Sequence, residues 1–215
     1  MLGTVMEHRA IIRHKTSGAT IFECFLPEGV SPELAVKFAL EKAVAEEVDL
    51  QGAYLAGADL TGATLNWATL AEADLSGACL FMANLRGSNL TCADLSKADL
   101  SGADLCLALL GGACLSEADL TGALLTNAGL AGADLTRALL TRANLTHADL
   151  AQADLTGASL KEASLVGAEF TDANLTEADL EGTNLHRALF VGADVTGARA
   201  NLGSIGLAGA IVRNT

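Results

Sequence analysis

From Val48 to Val195 the chain repeats itself every five residues, without an insertion or a deletion. Every position divisible by five from Leu50 to Val195 is Leu, except Phe170, Phe190 and Val195. The residue two places earlier is Ala, except at Val48, Ser88 and Thr183. Between the two sits Asp or Asn in 17 of 30 units, as in Ala58-Asp59-Leu60 or Ala143-Asn144-Leu145. Ser, Thr or Ala usually follows, and then often Gly, as in Thr121-Gly122. Self-similarity at a fixed period outranks local propensity as a guide to fold.

A period of five suits neither standard element. In an α-helix successive leucines would step around the axis by roughly 140° and form no stripe. In a flat strand an odd period sends alternate leucines to opposite faces. One arrangement keeps every Leu and Ala inside: a short extended Ala-x-Leu, then a turn, repeated into a closed coil. Within each unit Ala and Leu are two apart and point in, while the Asp or Asn between them points out. Gly at the last position supplies the positive φ of a type II corner. Stacked coils would pair their backbones at about 4.8 Å, as in any sheet. After Val195 the register slips by two residues and resumes weakly at Leu202, Leu207 and Val212.

The repeat also accounts for an odd composition. The 215 residues are 51% apolar but only 4% aromatic, and the formal charge is −13. That charge excludes nucleic acid and an anionic membrane surface as direct partners. A mean hydropathy of +0.38 looks membrane-like. Yet no window holds the roughly 18 uninterrupted apolar residues of a spanning helix. The opening MLGTVMEHRAIIRHK has no apolar core followed by a cleavage site, so a cytoplasmic chain is expected.

The pattern Ala-(Asp/Asn)-Leu-x-x resembles the pentapeptide repeat proteins. The resemblance implies an all-β solenoid, a right-handed quadrilateral parallel β-helix with four repeats per coil. Residues 20 apart then stack, giving about seven to eight coils in a rod roughly 36 Å long.

The chain divides into residues 1–47, an N-terminal hairpin-and-helix cap, then 48–200, the β-helix, and 201–215, a closing segment that could also make a symmetric contact. Within the cap, Ala10-Ile11-Ile12 and Ile21-Phe22-Glu23-Cys24-Phe25 flank a polar turn at Lys15-Thr16-Ser17-Gly18 and predict a hairpin. A helix should follow, with Ser31 as N-cap and Pro32 first. Its apolar stripe would be Val36, Leu40, Val44 and Val48, with Glu33, Lys37 and Glu41 on the wet face. Such a segment would cover the open edge of the first coil.

No enzyme, metal or cofactor is expected. The five cysteines are an odd number without a C-x-x-C pair, and Cys79, Cys92, Cys106 and Cys114 fall in different columns of the implied coil, with Cys24 in the cap. His147 and His186 share a wall but lie about two coils apart, near 10 Å. His8 and His14 belong to the hairpin region. A rod filled with Leu and Ala offers no pocket to orient a catalytic set.

Charge and exposed apolar residues stand out instead. On the four-repeat coil, Asp74, Asp94, Asp134, Asp154 and Asp194 form one column, interrupted by Cys114 and Asn174. Another wall carries Asp59, Asp99, Asp119 and Asp179. Residues 49–200 hold 19 acidic and 7 basic side chains, a net −12. Leu109, Leu124, Leu139 and Leu189 take the outward place of Asp or Asn, Phe81 and Met82 form a further exposed pair, and Trp67 occupies an outward corner. Exposed apolar clusters mark contact surfaces.

Two functions follow as expectations. One is a scaffold that binds a protein partner through Asp74, Asp94, Asp134, Asp154, Asp194, Leu109, Leu124 and Leu139. The alternative comes from the resemblance: some pentapeptide repeat proteins bind DNA gyrase or topoisomerase IV as DNA mimics and protect it from quinolones. Those relatives commonly dimerise through a C-terminal helix and some project loops, whereas no loop interrupts this repeat. A homodimer through one rod end is the corresponding expectation here.

Overall fold

The computed structural model describes residues 9–200. The chain opens with an antiparallel hairpin of β1 (Arg9–Arg13) and β2 (Thr20–Phe25). Arg9 pairs with Phe25 and Ile12 with Phe22, and the register shifts between Ile12 and Arg13. A 3-10 turn (Pro32–Leu34) leads into α1 (Ala35–Ala45). Ser31 stands where expected, extended and followed by Pro32, but its side chain makes no capping bond to the backbone. It hydrogen-bonds the Glu33 carboxyl, which is thereby held below its usual range.

From Leu50 onward the repeat produces neither helix nor long strand. Each unit contributes one bridging residue and one turn, and the bridges are parallel and run from residue n to n+20: Tyr54 to Asp74, Asp74 to Asp94, and so on to Asp179–Arg199. A coil therefore consumes four five-residue units, which divide its outside into four walls. Around Leu75 the Asp74 N–H donates back to the Ala53 carbonyl (2.8 Å), and the Leu75 N–H donates forward to the Asp94 carbonyl (2.7 Å). The Ala78 N–H closes the corner on the Leu75 carbonyl (3.0 Å). Backbone groups along the coils thus find partners in their own turn or a neighbouring coil.

The inward column of leucines and alanines is buried almost without exception. Phe170 and Phe190 occupy successive Leu sites and stack face to face, centroids 4.8 Å apart and 3° from parallel, so the rings follow the coil spacing. Ser88 and Thr183, the polar intruders in the Ala column, are accommodated alike. Ser88 Oγ donates to the Leu85 carbonyl at 2.7 Å, and Thr183 Oγ1 to the Leu180 carbonyl at 2.8 Å.

One expectation is widened and one corrected. Positive φ at the corners is not confined to glycine: Gly77 has φ 62°, but Lys97 in the same column has 57°, Trp67 62° and Leu107 63°. The ladder bonds on either side impose the corner conformation whatever residue stands there. The buried face of α1 is Ala39, Leu40 and Ala43, whereas Val36 is exposed. Two of the expected wet-face residues turn toward the first coil. Lys37 Nζ donates to the Thr61 carbonyl (2.6 Å), and Glu41 Oε1 accepts the Thr64 N–H (2.9 Å). Beside them the Tyr54 N–H donates to the Arg13 carbonyl and the Lys15 N–H to the Gly52 carbonyl, both at 2.8 Å. The closing segment at 201–215, the symmetric contact expected of it, and His8 lie outside the described residues.

Candidate protein-binding walls

Where the outward residue of a unit is Asp or Asn, its own turn holds it before it can serve anything else. Asp74 Oδ1 accepts the Ser76 N–H (3.1 Å) and hydroxyl (2.7 Å), and Asp134 Oδ1 accepts the Thr136 N–H (2.9 Å) and hydroxyl (2.7 Å). Asp94, Asp154 and Asp194 make the same backbone bond with Ser96, Thr156 and Thr196, each at 2.9 Å. This is the Asx-turn, in which a short carbonyl-bearing side chain mimics a backbone acceptor.

Asparagine does the same work. Asn174 Oδ1 accepts the Thr176 N–H at 3.1 Å, and its Nδ2 adds a bond to Thr156 Oγ1 at 2.8 Å in the preceding coil. The turn therefore explains the residue type but not the charge. All five aspartates are half-buried. The bridges set Asp74 on Asp94 and Asp134 on Asp154, with Cys114 and then Asn174 filling the gaps before Asp194. Like charges at adjacent coils repel, so this column carries an electrostatic cost that its geometry does not require.

The apolar candidates do not converge. Leu109 lies between Asn89 and Gly129, Leu124 between Asp104 and Asn144, and Leu139 between Asp119 and Ser159, each on a different wall. Leu189 sits on the Leu109 wall, across from Glu169. All four are exposed. Among the described residues Trp67 is the most exposed of the large apolar side chains at 64%, and its ring lies over Gly87, where a Cβ would collide with it. Met82 covers Gly102 in the same manner.

A cleft of about 710 Å³ opens between α1 and the first coil, with Val44, Glu47, Thr64 and Trp67 among its walls. Sequence reasoning missed it, together with the coil-facing roles of Lys37 and Glu41, because the helical period shows a stripe but not which way the helix turns. Among the described residues no cluster of three or more His, Cys, Asp or Glu side chains could hold a metal ion, and no helix is long and apolar enough to cross a membrane. Burial pushes the Cys106 thiol above its usual range, as does its hydrogen bond to the neighbouring Asp104.

The family description "Pentapeptide repeats" matches residues 49–87, 70–105, 107–142, 138–176 and 168–202, in 8 copies. The chain belongs to the pentapeptide repeat family. Its fold is accordingly a right-handed β-helix. Among solved structures, this pentapeptide repeat protein is similar to the pentapeptide repeat protein Rfr23 from the cyanobacterium Cyanothece 51142, at 34% identity over 43% of this chain and 60% of the other, with a TM-score of 0.38. It thus spans less than two thirds of that relative's length. HetL, a pentapeptide repeat protein involved in heterocyst differentiation regulation from Nostoc sp. strain PCC 7120, is 34% identical over 73% of this chain and 85% of its own, TM-score 0.34. QnrB1, a plasmid-mediated fluoroquinolone resistance protein, is 21% identical over 75% of this chain and 77% of its own, TM-score 0.39. No curated protein matches the chain significantly.

Proposed function

We propose that this pentapeptide repeat protein is a non-enzymatic, cytoplasmic scaffold that binds a protein partner along the outside of a quadrilateral rod of about seven to eight coils. In this reading the N-terminal hairpin and helix cap the first coil. The observation that carries it is the stacked column of Asp74, Asp94, Asp134 and Asp154, where aspartate persists although asparagine makes the same turn. Negative charge retained at a cost in self-repulsion supports a basic partner.

The test changes those four aspartates together to asparagine. The Asn174 geometry supports an unchanged fold, which circular dichroism would report. Proteins co-purifying from the native host with the parent should be lost with the variant. Equal recovery by both would remove the acidic column as the contact.

The same column favours a second reading, a DNA-mimic binder of DNA gyrase or topoisomerase IV that gives quinolone protection. The net −12 on residues 49–200 amounts to one charge per roughly 3 Å of rod, about half the density of duplex DNA. A gyrase supercoiling assay should then show inhibition, or relief of ciprofloxacin poisoning. No effect at tens of micromolar protein would sink that reading.

A further inference from the structure

The negative charge is not spread evenly around the rod. Bridges twenty residues apart place 61–67, 81–87, 101–107 and 121–127 side by side on the Leu65 wall and its two corners. Within that tract the charged residues are Arg86 and Asp104 alone, a net charge of zero on a coil of net −12. The same tract holds Trp67, Phe81, Met82, Leu107 and Leu124, five of the large apolar side chains exposed on the coil, with Met82 60% exposed. Gly87 and Gly102 lie flat beneath Trp67 and Met82. At the start of the tract, Trp67 lines the cleft against α1, beside Glu41 and Glu47.

Its borders are unequal. Along the Leu60 side run Asp59, Asp99 and Asp119, interrupted by Cys79. Asp99 and Asp119 spend Oδ1 on their own turns, with Ser101 and Thr121. Along the other side lie the uncharged Thr69, Asn89, Leu109 and Gly129. The track is therefore net neutral and set with exposed apolar side chains, about four coils or roughly 19 Å long, and edged with carboxylates on one flank and at one end.

We propose that this wall docks an amphipathic helix of a partner protein, apolar on the face laid against Trp67, Met82, Leu107 and Leu124 and basic on the flank that reaches Asp99 and Asp119. About 13 residues of helix match the track at roughly 1.5 Å per residue. A second copy of the rod, itself net −12 over residues 49–200, would set like charges against the carboxylate flank. A helix reaches over the corner to the aspartates as well. The proposal rests on the scaffold reading but names a different wall from the acidic column.

Trp67 is the chain's one tryptophan, so its emission reports the site directly. The probe is a synthetic Leu/Lys peptide of helical periodicity, about 14 residues long, titrated into the full chain at physiological salt. Saturable binding with a blue shift of Trp67 emission is expected, weakened at least about tenfold by Met82→Glu or Leu124→Glu. The variant carrying Asn at 74, 94, 134 and 154 should bind within about twofold of the parent. All these positions face outward, and circular dichroism would report whether the variants fold. Loss of binding in the Asn variant with Met82→Glu harmless would overturn the proposal while leaving the acidic-column reading intact. Peptide binding that none of these variants alters would overturn it equally. A concentration-dependent dimer in sedimentation, dispersed by Met82→Glu, would assign the wall to a second copy and overturn it as well. Loss of host partners from the column variant bears on the scaffold reading alone.

Discussion

At the corners the residue matters less than its place. L-residues in the left-handed region cost about 1–2 kcal/mol each, yet Glu72, Cys92, Arg137 and Gln152 all adopt it. The ladder overrides the preference, and two kinds of substitution separate the backbone term from the contact term. Gly62 has open space around its missing Cβ, whereas a Cβ at Gly87 meets the Trp67 ring. Gly62→Ala should cost about 1 kcal/mol in urea denaturation, and Gly87→Ala clearly more. Equal losses would mean that Trp67 does not cover Gly87. Conversely, Gln152→Gly relieves the corner and should leave stability unchanged or raise it by about 0.5 kcal/mol, the gain being trimmed by the greater freedom of the unfolded chain. Ser88→Ala should stay within about 0.5 kcal/mol, because the Leu85 carbonyl keeps the residue-88 N–H as a donor. The identity of the inward residues was readable from the sequence because burial filters them strictly. The positive φ of the corners was readable where Gly stands but not at Lys97, Trp67 or Leu107, because hydrogen bonds elsewhere impose it there.

Among the elements, the N-terminal hairpin and α1 show where pattern reading stops. The sequence located both strands and the helix, since alternation and the Ser-Pro start act locally. It set the buried face off-centre: Leu40 is buried and Val44 packs against the core as expected, but Val36 is exposed and Ala39 and Ala43 are buried in its stead. Lys37 and Glu41 look solvated on a helical wheel, yet they bond main-chain groups of a coil more than twenty residues away. Glu41→Ala should leave the Thr64 N–H without its carboxylate and cost about 1 kcal/mol, measured by thermal unfolding. Removing residues 1–47 should expose the edge of the first coil, and light scattering that rises with protein concentration would reveal the edge-to-edge association. A truncated chain that stayed monomeric would show that the segment does not protect that edge.

For the whole molecule, stability is close to a sum over neighbouring coils, because each coil touches only the next. Leu120 is fully buried. Leu120→Lys should bury an unpaired charge and unfold the coils around it, visible as loss of a cooperative melt. An unchanged melt would place Leu120 outside the core. Added salt should raise the melting temperature by screening the stacked aspartates, and the Asn variant should lose part of that dependence. The rod and its inward columns were legible in the sequence because one period governs the whole length. The four walls became distinguishable once residues twenty apart were set side by side, since a neutral tract cannot be seen along a sequence whose charges are dispersed every few residues.

The twenty-residue register also turns chain length into a ruler. Duplicating residues 91–110 would insert one complete turn with every side chain on its proper wall and lengthen the molecule by about 4.8 Å. Adding five residues instead would keep the leucines inward but rotate everything downstream by one wall, carrying the acidic column onto a different side. Each added unit thus advances the azimuth by one wall and the height by about a quarter coil, roughly 1.2 Å, which makes the molecule a calibrated spacer for anything bound at two heights along it.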